Sequence, residues 1–105
     1  MGIAQYIKEI GRGHEGARSL GIDAAADLMG QVLDLRVTDL EIGAFAIAMR
    51  IKGETSTELA GFLEAAEERC IAVRSEQPVV VMPSYNGSRK LPNLTALLAL
   101  LLAQE

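Results

Sequence analysis

The stretch MRIKGETSTELAG at residues 49–61 contains the end of one predicted helix and the beginning of the next. Gly53 follows an apolar helical segment, and glycine is the residue most often found just past a helix C-terminus. Two residues later, Thr55 and Glu58 have the spacing of a capping box, in which the hydroxyl and the carboxylate each bind a free backbone amide of the first turn. The sequence therefore predicts a tight helix-to-helix turn at residues 52–55.

Three further helices are predicted upstream of this turn. Apolar residues recur at helical spacing in residues 3–10, where two glycines then interrupt the pattern, and again in residues 22–36. A second capping box at residues 38–41 predicts the start of a third helix. Together with the helix after the turn, these segments predict a four-helix amino-terminal unit at residues 1–75.

The third predicted helix is apolar on nearly every side between residues 42 and 51. A helix of this kind lies either at the centre of a bundle or in an oligomer interface. A self-complementary interface between two copies of the chain is predicted to use four residues of this helix: Ala44, Phe45, Ile47 and Ala48.

The pattern changes after residue 75. Residues 79–82 form a β-branched run between Pro78 and Pro83, which predicts a buried strand. The segment after Leu91 predicts a helix that is apolar around its whole circumference. Such a helix must pack against other parts of the protein on all sides. The predicted fold is therefore mainly α, with residues 76–105 forming the first strand and helix of an incomplete α/β domain. The alternative is that a partner chain packs against this strand and helix.

Length, charge and cysteine content exclude several classes of protein. A chain of 105 residues and 11.2 kDa is too short for a large two-domain enzyme. The net charge of −4 and the pI near 5.0 have the wrong sign for a dedicated nucleic-acid module. A single cysteine excludes an internal disulfide and favours a cytoplasmic location. The longest apolar run, at residues 96–103, is shorter than the ~18 residues of a membrane span, so no membrane partner is predicted.

The segment between the predicted strand and the last helix is the candidate ligand site. It contains an Asn-Gly turn and two adjacent cations, and it leads into a helix N-terminus, where free amides favour anions. Asn93 is predicted to be the N-cap of that helix. The alternative is an ordinary solvated turn. The candidate phosphate-binding residues are Ser84, Tyr85, Asn86, Gly87, Ser88, Arg89, Lys90, Asn93 and Thr95.

The remaining polar residues predict neither catalysis nor a metal site. The single histidine, His14, lies in a glycine-rich segment, where a lone imidazole is usually solvated. Cys70 is predicted to lie on the apolar face of the fourth helix and to be part of the core. Without a histidine-rich cluster, the carboxylates are predicted to form a solvated helix face. These carboxylates are Glu58, Glu64, Glu67, Glu68 and Glu76.

Residues 42–45 (IGAF), 48–55 (AMRIKGET) and 58–61 (ELAG) resemble the helical amino-terminal domain of the anthranilate phosphoribosyltransferase family. That family belongs to glycosyltransferase family 3, which also contains the pyrimidine-nucleoside phosphorylases. The resemblance extends from Tyr6 to the last residue. It implies that the helices form a dimer-building subdomain and that an α/β domain follows.

The catalytic signature of the family is replaced in this sequence. The resemblance implies a Gly-Thr-Gly-Gly-Asp loop after the first strand and an Asn-x-Ser-Thr motif at the next helix, which together hold the pyrophosphate of phosphoribosyl pyrophosphate. Here residues 85–90 are YNGSRK and residues 93–95 are NLT. The larger side chains narrow the space that glycines leave for a pyrophosphate, which argues against phosphoribosyl transfer.

Residues 83–90 (PSYNGSRK), 93–95 and 98–102 (LALLL) are similar to a divergent YbiB-type branch of the family. That resemblance implies a homodimer that keeps the transferase fold and binds nucleic acid without sequence preference. The alternative is an anthranilate phosphoribosyltransferase-type enzyme of tryptophan biosynthesis, which alone would require magnesium and phosphoribosyl pyrophosphate. Neither catalysis nor a cofactor is predicted for the 105-residue chain by itself.

Overall fold

The computed structural model describes residues 2–84 and 90–105, and within them the chain is mainly helical. It divides into two compact units, Met1–Ile71 and Ala72–Glu105. The first unit contains five of the described helices and the second contains one. In chain order they are α1 (Ala4–Ile10), α2 (Gly13–Gly16), α3 (Ile22–Leu33), α4 (Asp39–Lys52), α5 (Ser56–Glu67) and α6 (Thr95–Leu102).

Helices α4 and α5 begin at the two predicted capping boxes. Thr38 Oγ1 accepts a hydrogen bond from the backbone amide of Glu41 at 3.3 Å, and the Glu41 carboxylate accepts one from the amide of Thr38 at 2.9 Å. Thr55 and Glu58 repeat the arrangement at 3.2 and 2.9 Å. Gly53 ends α4 with φ at 80°, a conformation that side chains disfavour, and its amide binds the carbonyl of Met49.

The helices of the first unit pack as two groups around one apolar core. Helix α3 lies against α5, while α1 and α2 lie against α4. The rings of Phe45 on α4 and Phe62 on α5 meet edge to face, with centroids 5.9 Å apart, and so connect the two groups. The buried apolar residues of the core are Ile3, Ile10, Leu20, Ala25, Leu28, Ala48 and Met49.

Gly61 allows α3 and α5 to approach closely. A Cβ atom at this position would contact the backbone carbonyl of Ile22, and it would lie 2.8 Å from Ala25 Cβ and 2.9 Å from the amide nitrogen of Ala26. Real Cβ atoms are essentially never found this close to backbone atoms, so one of the two helices would have to move. The absence of a side chain at Gly61 therefore sets the spacing of this helix pair.

The C-terminal ends of α3 and α5 are connected by Arg69. Its guanidinium donates to both oxygens of the Asp34 carboxylate, at 2.7 and 2.9 Å, and to the carbonyl of Ala65 at 2.9 Å. Paired hydrogen bonds between arginine and a carboxylate have a defined geometry. Arg69 therefore holds the two helix ends in register.

The structure differs from the predicted helices of the first unit at three points. The prediction of four helices omitted α2, a single turn at Gly13–Gly16 that contains the exposed His14. Helix α3 ends at Leu33, before the predicted end near Arg36, because the chain turns at Leu35 with φ at 56°. Cys70 was predicted to be core, but it is exposed because α5 ends at Glu67.

The predicted strand at residues 79–82 is not formed. Residues 77–84 are irregular, and Val79, Val80 and Val81 are 63–88% exposed. A strand needs a neighbour for its backbone hydrogen bonds, and the described residues provide no second strand.

Helix α6 forms as predicted, but it also leaves its leucines largely exposed. None of the helices in the described ranges has the length and apolar character needed to span a membrane.

Replacing Gly61 by alanine is expected to lower the free energy of unfolding by about 1–3 kcal/mol, because the added methyl group overpacks the contact between α3 and α5. The matched control is Gly43→Ala on α4, where an added Cβ meets nothing within 4 Å. This control is expected to stabilise the helix by about 0.5–1 kcal/mol. Chemical denaturation of both variants measures the difference, and equal stability of the two would contradict the close approach at Gly61.

Replacing Leu35 by glycine is expected to raise the free energy of unfolding by about 0.5–1 kcal/mol, because glycine adopts a positive φ without steric cost. Leu35 is 82% exposed, so little packing is lost. Leu40 has the same exposure but lies in the first turn of α4, and Leu40→Gly is expected to destabilise. Thermal denaturation followed by circular dichroism separates the two effects, and a loss of stability in Leu35→Gly would argue against the left-handed conformation.

Candidate functional site

The predicted phosphate-binding segment is described at four of its nine residues, namely Ser84, Lys90, Asn93 and Thr95. The other five candidates lie outside the described residues: Tyr85, Asn86, Gly87, Ser88 and Arg89.

Asn93 holds the two sides of this segment together. Its Nδ2 donates a hydrogen bond to the backbone carbonyl of Ser84 at 2.8 Å, and its Oδ1 accepts one from the amide of Thr95 at 3.0 Å. The N-cap position itself is Leu94, one residue after the prediction. Asn93 nevertheless satisfies a free amide at the start of α6, as an N-cap side chain would. Its carbonyl oxygen and one amide hydrogen are therefore engaged within the protein.

A broad groove of about 860 Å³ runs beside the first turns of α6. Its lining is mainly leucine and proline, and Lys90 is its one cation within the described residues. A pyrophosphate site requires several hydrogen-bond donors or cations that point to one place. This groove instead presents an apolar surface, which packs best against other apolar groups. The residues that line the groove are Lys90, Leu91, Pro92, Leu94, Thr95, Leu97, Leu98 and Leu101.

Three of the four predicted interface residues of α4, namely Ala44, Ile47 and Ala48, line one groove, whereas Phe45 packs against Phe62. Ala48 is buried in the core, and Phe45 is half-buried against Phe62. Ile47 is 64% exposed, and Ala44 is half-buried beside it. Phe45 and Ala48 therefore contribute to the packing of their own unit, and the interface with a second copy stays a prediction.

The exposed face of α4 extends to a residue that the interface prediction missed. Ile51 is 51% exposed and lies one turn beyond Ile47. The sequence spacing of residues 44, 47 and 51 could have predicted that Ile51 shares this face, since residues three and four apart lie on the same side of a helix. A groove of about 270 Å³ lies along this face. It is lined by Ile7, Ile10, Gly11, Gly13, Ala44, Ile47, Ala48 and Ile51.

The turn between α4 and α5 contains a buried ion pair. Glu58 has no exposed surface, and its carboxylate lies 2.8 Å from Nζ of Lys52, whose side chain is 7% exposed. Glu58 also accepts hydrogen bonds from the backbone amides of Leu20 and Thr55, each at 2.9 Å. The lysine in turn donates to the carbonyl of Gly53 at 2.7 Å. The prediction that Glu58 belongs to a solvated face is therefore wrong.

Two opposing effects set the pKa of Glu58. Burial disfavours the ionised carboxylate and by itself raises the pKa, but hydrogen bonds from Lys52 and from the amides of Leu20 and Thr55 outweigh it. The pKa is therefore below its ordinary value of 4.5. Glu58 is ionised at neutral pH, where it serves as a structural anion that connects three segments of the first unit.

Two further carboxylates of the first unit, Asp34 and Glu41, lie at helix ends. No group of three or more histidine, cysteine or acidic side chains in residues 2–84 and 90–105 could hold a metal ion. Hydrogen bonds from Arg69 lower the pKa of Asp34, and hydrogen bonds from Thr38 lower that of Glu41. Asp34 and Glu41 therefore stabilise helix ends through these hydrogen bonds.

Residues 4–70 match the helical bundle domain of a glycosyl transferase family. A protein of Escherichia coli (strain K12) named uncharacterized protein YbiB is 48% identical over 105 aligned residues, which cover 97% of this chain and 33% of that protein. An anthranilate phosphoribosyltransferase of Dehalococcoides mccartyi (strain CBDB1) is 30% identical over 70 residues, or 67% of this chain and 20% of the enzyme. An uncharacterized protein of Aquifex aeolicus (strain VF5) is 37% identical over 89 residues, or 84% of this chain and 29% of that protein. The chain thus spans a third or less of the length of these relatives.

The free energy of unfolding is expected to fall as the pH is lowered below 4.5, because the folded-state pKa of Glu58 lies under its ordinary value. The stabilisation is complete above the unfolded pKa and is lost as the pH falls through the folded pKa. Asp34 and Glu41 shift in the same direction and add to this loss. Denaturation series between neutral and acidic pH measure the slope.

The variant Glu58→Gln separates the buried carboxylate from the others. It is expected to be less stable near neutral pH by about 3–5 kcal/mol, since it leaves the charge of Lys52 buried without its partner. Its stability is also expected to depend less on pH than that of the parent. Glu64→Gln on the exposed face of α5 is the matched control and is expected to change little. An unchanged pH slope in Glu58→Gln would show that the acid sensitivity arises elsewhere.

Proposed function

This chain belongs to a glycosyl transferase family through its helical bundle domain, and from that premise we propose that it is the amino-terminal part of a homodimeric, phosphoribosyltransferase-like protein that binds nucleic acid. In this proposal the family scaffold is kept and phosphoribosyl transfer is lost. The chain contributes the helices through which two copies associate and the start of the domain that contacts the nucleic acid.

The replaced phosphate loop is the observation that carries the proposal. Residues 85–90 are YNGSRK and contain a single glycine, whereas a loop that wraps a pyrophosphate through its backbone amides needs several. Arg89 and Lys90 add two adjacent cations to this loop, and such cations bind single phosphates of a nucleic-acid backbone. The 48% identity to the Escherichia coli protein over 97% of this chain supports grouping the two proteins in one branch of the family.

The described residues offer few groups to phosphoribosyl pyrophosphate and magnesium, which supports the proposal over the transferase alternative. Asn93 has its carbonyl oxygen and one amide hydrogen engaged by Thr95 and Ser84, and Lys90 is the one cation of the adjoining groove in the part of the chain that the structure describes. That part also offers no acidic cluster for a metal ion. The transferase alternative is favoured by the relative named anthranilate phosphoribosyltransferase, at 30% identity, and by the partial motif at residues 93–95.

The charge of this chain limits its own share of nucleic-acid binding. Its net charge of −4 repels a polyanion at long range. The proposal therefore assigns the main basic surface to the portion of the relatives' length that this chain does not span. Arg89 and Lys90 would add local contacts at the edge of that surface.

The dimer is proposed to form through the exposed face of α4. Ile47 and Ile51 are apolar, exposed and one turn apart, and they border a groove between α4 and the end of α1. A two-fold axis across this face would place the same residues of both copies in contact. Ala48 and Met49 are buried in the core of their own unit, so the exposed contacts of α4 come from Ile47 and Ile51.

The full-length protein is expected to retain duplex DNA at low salt and to lose it steeply as salt rises. Arg89→Ala combined with Lys90→Ala is expected to reduce the slope of log K against log salt by about 2, or about 0.9 for each lost phosphate contact. Lys8→Ala combined with Arg74→Ala removes the same charge elsewhere and is the matched control. Fluorescence anisotropy at several salt concentrations measures the slope.

Two outcomes would contradict the nucleic-acid proposal. One is the absence of DNA binding by the full-length protein at low salt, and the other is binding that does not change with salt. Calorimetric titration with phosphoribosyl pyrophosphate and magnesium tests the alternative. Heat of binding in that titration, without DNA retention, would restore the transferase interpretation.

Replacing Ile47 by aspartate is expected to convert the dimer to a monomer, because it would place two unpaired carboxylates in an apolar contact. Leu63→Asp is the matched control, since Leu63 on α5 is 63% exposed and Ile47 is 64% exposed. Sedimentation equilibrium gives the molecular mass, and circular dichroism checks the fold of both variants. A monomeric parent protein, or a dimer that survives Ile47→Asp, would exclude this face as the interface.

A further inference from the structure

We draw no further inference here: the strongest candidate, the apolar groove between α4 and α5 lined by Met29, Phe45, Met49 and Phe62, is an unpartnered surface, and nothing in the structure shows what covers it.

Discussion

The buried ion pair between Lys52 and Glu58 is the interaction on which the first unit depends. Removing a carboxylate and an ammonium from water is costly, and the cost is recovered only when their remaining hydrogen-bonding groups are also satisfied. Glu58 meets this condition through the amides of Leu20 and Thr55, and Lys52 meets it through the carbonyl of Gly53. One carboxylate thereby fixes the α4–α5 turn and attaches it to the segment that precedes α3.

This attachment determines how the helices share the core. With Leu20 held beside the start of α5, helix α3 runs along α5, and Gly61 permits the close contact between them. Helix α4 then faces the core with Ala48 and Met49, and its other side stays at the surface. A helix that is apolar all round cannot bury every side in so small a unit, so Ile47 and Ile51 remain exposed. The proposed dimer surface is thus a consequence of the internal packing.

The helical bundle of this protein identifies its family, whereas the residues of the candidate site determine its chemistry. The helical bundle domain establishes the family, but a fold supports many functions, and the site decides which one is present. In the second unit, the Asn93 side chain is engaged by the carbonyl of Ser84 and the amide of Thr95, and the groove beside α6 is mainly apolar. These features, with the single glycine in residues 85–90, are the observations on which the proposed binding role rests.

The sequence by itself determined the features that depend on neighbours within a few residues. The capping boxes at Thr38 and Thr55 and the glycine end of α4 need only contacts three or four positions apart, so their spacing was sufficient to predict them. Only the tertiary structure decided that Glu58 is buried, since Leu20 is 38 positions away in the chain. It also decided that Phe45 packs against Phe62 and that residues 79–82 form no strand, because burial and strand pairing depend on distant partners that a local pattern does not identify.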